Sequence, residues 1–266
     1  MSDVTAQVRY INDEWKERVD RAFIYSKETR RANTSLREVQ IYDARPLHAA
    51  SELDLDTNGF VFAECDFGVS DFYDDDAIRA CYDEALVPML KSISGAIEVK
   101  VSWHQVRTED PSTFLGAYSR YLHCDYPLTP RPDREAGMLG RDLAGADYAW
   151  FNIWSPIERP AEQNQLTVLD ARTLSMDDIC EYHFTEQAGS GYAAIPAHNP
   201  NHRFFYFPQM KPSEVIIFKQ FDSRSDKAMV CPHTAFYDPE VGDHSAARRS
   251  VEFRALCVFG LSLIHI

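Results

Sequence analysis

Cysteine pairs are missing from this chain. The six cysteines, Cys65, Cys81, Cys124, Cys180, Cys231 and Cys257, are scattered and form no Cys-x-x-Cys. That pattern excludes the usual zinc-ribbon spacing and argues against a disulfide framework, so reduced structural thiols are expected. Long apolar runs are missing too. None approaches the ~18 residues of a membrane span. The N-terminus is charged from its third residue and shows no apolar signal-peptide segment, so a cytoplasmic protein is expected. Positive charge is scarce: 27 Lys and Arg stand against 41 Asp and Glu, for a formal net charge of −14. A surface that acidic repels phosphate backbones, which removes nucleic acid as an expected partner. There is no Gly-x-Gly-x-x-Gly and no Walker-type loop, and Gly189-Ser190-Gly191 lacks the residues of a nucleophile elbow.

What is present is apolar residues, at 45% of 266, enough to bury a sizeable core in one large domain. Residues 1–95 read as a mixed α/β extension that packs on the core. Within it, Ile78, Cys81, Tyr82, Ala85, Leu86, Met89, Leu90 and Ile93 recur at helical spacing. Asp74 to Asp76 suit the start of that helix, Gly95 suits its end, and Pro88 is expected to kink it. After Gly95 the pattern turns to strands rich in Val, Ile, Phe, Tyr and Trp. Nine candidates are 97–107, 118–125, 148–157, 165–170, 192–195, 203–207, 214–222, 229–235 and 250–259. The fold class expected is mainly β with flanking helices, with a jelly-roll core over 96–260 that encloses a small-molecule site. Residues 261–266, Leu-Ser-Leu-Ile-His-Ile, match the translation of a transposon-end sequencing adapter, and are set apart from the fold as an expected artefact.

His123-Cys124-Asp125 ends one candidate strand. Side chains two apart on a strand share a face, so His123 and Asp125 reach one metal while Cys124 points away. His-x-Asp alone is weak evidence in a chain with nine His and 41 acidic residues. The context strengthens it: His233 sits on the penultimate strand. Two histidines and one carboxylate on one face of an iron leave positions open for oxygen chemistry. The last strand carries Arg248, Ser250, Glu252 and Arg254 on one face. Arginines beside a hydroxyl make a clamp for a carboxylate. Asn152 and Trp154 share a face of a central strand and are pocket-lining candidates. His104, His198 and His202 read as structural or surface residues.

These residues resemble a known family. The matching stretches include Asp43-Ala44-Arg45, Asn58-Gly59-Phe60, Ser94-Gly95-Ala96, His123-Cys124-Asp125-Tyr126 and Phe151-Asn152-Ile153-Trp154-Ser155-Pro156-Ile157. Further along they include His202 to Tyr206, Phe218 to Ser223, Pro232-His233-Thr234-Ala235-Phe236-Tyr237-Asp238-Pro239 and Arg248 to Arg254. From about Arg9 to Phe259 the chain is similar to the CmcJ/AsaB-like hydroxylase/desaturase family, which includes gibberellin desaturase-like proteins. The resemblance implies a double-stranded β-helix and iron(II) chemistry with 2-oxoglutarate and O2 as cosubstrates. It implies hydroxylation or desaturation of an unactivated C–H bond of a small molecule, in secondary metabolism. On this reading His123, Asp125 and His233 are the metal ligands, and Arg248, Ser250 and Arg254 bind the cosubstrate. Two positions depart from the family pattern: Ser155 stands where arginine is usual, and Arg249 where an acidic residue is common. Both are expected to alter the charge of the pocket. The alternatives are a cupin-like metal enzyme without 2-oxoglutarate and a jelly-roll binding module without turnover. Substrate identity and oligomeric state are left open by the sequence.

Overall fold

The structure, a computed structural model, describes residues 3–109, 119–143, 145–188, 191–242 and 245–260. The strands, in chain order, are β1 (Val4–Ile11), β2 (Ala22–Phe23), β3 (Thr34–Asp43), β4 (Phe60–Glu64), β5 (Glu98–Thr108), β6 (Tyr148–Pro156) and β7 (Leu166–Leu169). They continue with β8 (Ile179–His183), β9 (Tyr192–Pro196), β10 (Phe204–Tyr206), β11 (Glu214–Asp222), β12 (His233–Ala235) and β13 (Arg249–Val258). One five-stranded sheet has the order β4-β11-β6-β13-β5 and a second the order β1-β3-β10-β7-β12; a small sheet joins β2, β8 and β9.

The two large sheets face each other across a layer of large side chains. Phe60, Phe62, Trp154, Phe205, Phe207 and Phe218 meet there. Each such side chain, fully buried, contributes roughly 1.5–3 kcal/mol of transfer free energy. The other face of the first sheet presents Phe151, Ile153, Val251 and Phe253 to Ile78, Leu86 and Leu90 of a helical layer. Strand β6 is therefore covered on both faces, and all nine of its residues are buried. That is why its sequence is almost continuously apolar rather than alternating.

The helical layer follows its sequence signals. The Asp74 carboxylate accepts from the backbone of Asp76 and Ala77 at the start of helix Asp75–Cys81. Helix Val87–Ser94 ends at Gly95, whose φ of 73° is left-handed. Between them, Tyr82–Leu86 forms a π turn, with Val87 N–H donating to the Tyr82 carbonyl. Pro88 lacks an N–H and its ring crowds the carbonyl four residues back, and the chain meets both constraints with this wider turn.

Several strand expectations change in detail. Of the candidate over 118–125, Tyr118 lies outside the described residues, and only His123 and Cys124 form bridges, to His233 and Ala194. The candidate over 229–235 becomes a strand only at His233, because Pro232 has no N–H to give a ladder. The first 95 residues supply β1, β3 and β4 to the two large sheets as well as the helical layer. Residues 261–266 lie outside the described residues.

Candidate metal centre

His123 and His233 are paired by backbone bonds in both directions, at 3.1 and 2.9 Å. The next residue bonds the other way: Cys124 N–H donates to the Ala194 carbonyl at 2.7 Å. The segment thus bridges β12 and β9 with the alternation of a strand. Cys124 is buried with Ala194 and Val230, while His123 and Asp125 turn to the opposite side. One ligand atom from each of His123, Asp125 and His233 lies within 4.8 Å of the others. The two imidazole rings have centroids 4.4 Å apart. His123 Nε2 lies 3.7 Å from Asp125 Oδ1.

The protonation states suit a metal. His123 Nδ1 lies 2.8 Å from the Tyr121 carbonyl, which can only accept, so Nδ1 carries the proton and Nε2 keeps its lone pair. Burial holds the His123 imidazole below its ordinary pKa, against the pull of Asp125. Burial and the neighbouring His123 push His233 well below it. For Asp125 burial acts to raise the pKa. Arg254, the two histidines and the Asn152 amide outweigh it and hold the carboxyl well below the usual range. Two neutral imidazoles and one ionised carboxylate are the donor set a divalent ion requires, and the residues fit it.

Asp125 is fixed from three directions. Asn152 Nδ2 donates to Oδ2 at 2.6 Å, Arg254 Nη2 lies 2.9 Å from Oδ1, and the Asp125 N–H donates to Gln220 Oε1 at 2.7 Å. Arg254 also pairs with Glu252 at 3.2 Å. Ser250, Glu252 and Arg254 share a face of β13, Arg248 precedes the strand, and the two arginines meet different partners. Arg248 Nε and Nη2 both donate to Ser250 Oγ at 3.2 Å, and Nη1 donates to the Asn164 carbonyl. Its guanidinium carbon stands 5.3 Å from the centre of the Trp154 ring.

A cavity joins these groups; Arg107, His123, Asp125, Trp154, His233 and Arg248 are among its walls. Asn152 touches Asp125 rather than the cavity wall. Ser155 is buried, donates to the Glu214 carbonyl at 2.9 Å and shares the β6 face of Ile153 that meets the helical layer. Arg249 pairs with Glu158 beside β13. Neither departure from the family pattern lines the cavity, contrary to expectation, because each alternates away from a neighbour that does. His104 bonds Tyr82 and Asp75, His202 bonds Tyr10, and His198 packs edge-on to Tyr10. Sequence reasoning did not single out Arg107 or Gln220. Arg107 becomes visible only through its register opposite Ser250.

Two facing sheets with two histidines and a carboxylate at one end define a jelly-roll protein with the ligand set of a mononuclear metal site. A family model described as "Oxidoreductase/YMDC permease-like domain" matches residues 8–258. The hydroxylase/desaturase CTB9 of Cercospora beticola is 30% identical over 234 residues, covering 75% of this chain and 70% of that protein. The Fe(II)/2-oxoglutarate-dependent dioxygenase nvfI of Aspergillus novofumigatus (strain IBT 16806) is 26% identical over 239 residues, 86% of this chain and 85% of that one. A solved structure of the iron and alpha-ketoglutarate-dependent endoperoxidase NvfI superposes with a TM-score of 0.85, at 22% identity and 98% coverage of both chains, which establishes the common fold. The chain belongs to this hydroxylase/desaturase family of oxidoreductases. Among the described residues no helix is long and apolar enough to cross a membrane.

Proposed function

We propose that the protein is an iron(II)- and 2-oxoglutarate-dependent oxygenase that hydroxylates or desaturates an unactivated C–H bond of a small metabolite. The observation that carries this reading is the convergence of His123, Asp125 and His233 in a cavity that also holds Arg248. Bound iron with 2-oxoglutarate and O2 would supply the oxidising power for the C–H bond. The residues supply the rest. His123 and His233 offer neutral imidazoles and Asp125 an ionised carboxylate, leaving other positions of the ion for cosubstrate and oxygen. Arg248 and Ser250 form the clamp for the distal carboxylate of 2-oxoglutarate. With both Arg248 nitrogens donating to its oxygen, the Ser250 hydroxyl is oriented to donate its own proton. Arg254, expected in the clamp, is read instead as the partner that keeps Asp125 ionised and oriented. Trp154, Leu166 and Ala235 give the cavity apolar walls that limit water. Six unpaired cysteines, five of them buried, suit a reducing compartment, and the reading puts the enzyme in the cytoplasm.

The test is anaerobic loading with iron(II) and 2-oxoglutarate, then exposure to O2 with a panel of small metabolites. Oxygen-dependent succinate release, stimulated by a metabolite that gains oxygen or loses two hydrogens, is the expected result. Iron-loaded protein that forms no succinate would favour a metal enzyme that does without 2-oxoglutarate.

A further inference from the structure

Gln220 lies outside the ligand set, yet its amide touches both arms of the site. Strand β11 pairs with β6 in register up to Lys219–Phe151, then resumes at Phe221–Trp150, so Gln220 is the extra residue of a β-bulge. In regular pleating, Lys219 and Gln220 would point to opposite faces. Both side chains are fully buried here. Lys219 Nζ reaches Asp56 at 2.9 Å and Asp222 at 2.5 Å, and Arg224 pairs with the same two carboxylates. That ion-paired cluster pins the bulge from one side. On the other, Gln220 Oε1 accepts from the Asp125 N–H at 2.7 Å. Gln220 Nε2 donates to the carbonyls of Lys219 at 3.0 Å and Cys231 at 3.3 Å, and lies 3.4 Å from His233 Nδ1. Asp125 and His233 are 108 residues apart in the chain. One amide therefore ties the backbone of the carboxylate ligand to the segment leading into the second histidine. Bulges beside functional sites commonly re-aim a side chain, and this one aims an amide.

We propose that Gln220 is a positioning residue of the metal centre, fixing the separation of the Asp125 and His233 arms. The inference rests on the metal-site reading above. Removing the amide leaves all three ligands in place but frees their spacing, which should weaken metal binding more than it weakens the fold. Outer-sphere partners of metal ligands typically contribute about 10- to 100-fold in affinity.

The experiment titrates Co(II) into the full chain under nitrogen, following the visible d–d bands, for wild type, Gln220→Met and Gln220→Glu. Gln220→Met is near-isosteric and makes neither bond. Gln220→Glu keeps the acceptor for Asp125 N–H and loses the donors. Expected are a Kd about 10- to 100-fold higher and altered band intensities for Gln220→Met, with Gln220→Glu altered in bands as well. The metal-free unfolding midpoints should stay within a few degrees of wild type. Wild-type Kd and bands in Gln220→Met would overturn the proposal. So would a lowered midpoint with unchanged affinity, the signature of a structural role alone. A wild type that binds no Co(II) would instead sink the metal-site reading itself. Amide exchange in the metal-free wild type gives a check that needs no variant. The Asp125 N–H should exchange as slowly as the paired amides of β6, and fast exchange would contradict the bond to Gln220.

Discussion

Arg248, just before β13, and Arg254, on it, follow one strand parity, and six residues of spacing separate two jobs. The alternation that puts them on one side was readable from the sequence, as was the parity that puts Asp125 inward and Cys124 outward. Their partners were readable only in part: Ser250 lies two residues from Arg248, but the Asn164 carbonyl and Asp125 come from other elements. Arg248→Lys keeps the charge and loses the planar fork. Losing a hydrogen bond to a buried carboxylate typically costs ~2–5 kcal/mol, so 2-oxoglutarate affinity should fall at least about 30-fold while iron stays bound. Isothermal titration of the iron-loaded variant checks this; an unchanged Kd would remove Arg248 from the clamp. Cys124→Ala should leave iron binding intact, whereas Asp125→Ala should abolish it. Iron analysis after desalting distinguishes them, and the reverse pattern would overturn the parity argument.

At the level of elements, the helix over 75–94 and the strands over 148–156 and 214–222 were legible from periodicity and composition. The N-terminal strands were harder. Strand β1 buries Val4, Ala6, Val8 and Tyr10 in clean alternation, but β3 buries only Thr34 and Ile41 and its polar run resembles a loop. The bulge at Gln220 had no local signal at all, since it depends on where β6 resumes pairing. Gly59 is a different case, required by both backbone and space. Its φ is 82°, and an added Cβ would sit 3.0 Å from Cys231 Cβ and 3.2 Å from Ala171 Cβ. Gly59→Ala should therefore cost on the order of 1–3 kcal/mol, lowering the thermal midpoint by several degrees. A midpoint equal to wild type would mean the turn relaxes freely. His202, on the turn before β10, is tied to β1 through Tyr10 at 3.2 Å. Burial lowers its pKa to about 4, only partly opposed by Asp178. A depressed folded-state pKa favours the fold while the ring is neutral. That stability is complete above pH 6.5 and lost as pH falls toward 4, to a limit on the order of 3 kcal/mol. His202→Gln keeps an acceptor for Tyr10 and should flatten the stability profile between pH 6.5 and 4. Denaturant unfolding across that window tests it, and an unchanged slope would clear His202 of the effect.

For the whole molecule, two sheets and the segment carrying His123 and Asp125 enclose the site cavity, whose remaining walls come from β5, β6, β7, β12, β13 and the turn into β13. The chemistry-bearing residues are far apart in sequence and close in space only because the sheets close. This closure builds an iron site which takes 2-oxoglutarate. The direct measurement is an anaerobic titration of the iron(II) protein with 2-oxoglutarate, following the visible charge-transfer band. A saturable band is expected in wild type, at one equivalent per chain, and none in His123→Ala, Asp125→Ala or His233→Ala. Absence of the band in iron-loaded wild type, or its persistence in the Asp125→Ala protein, would contradict it.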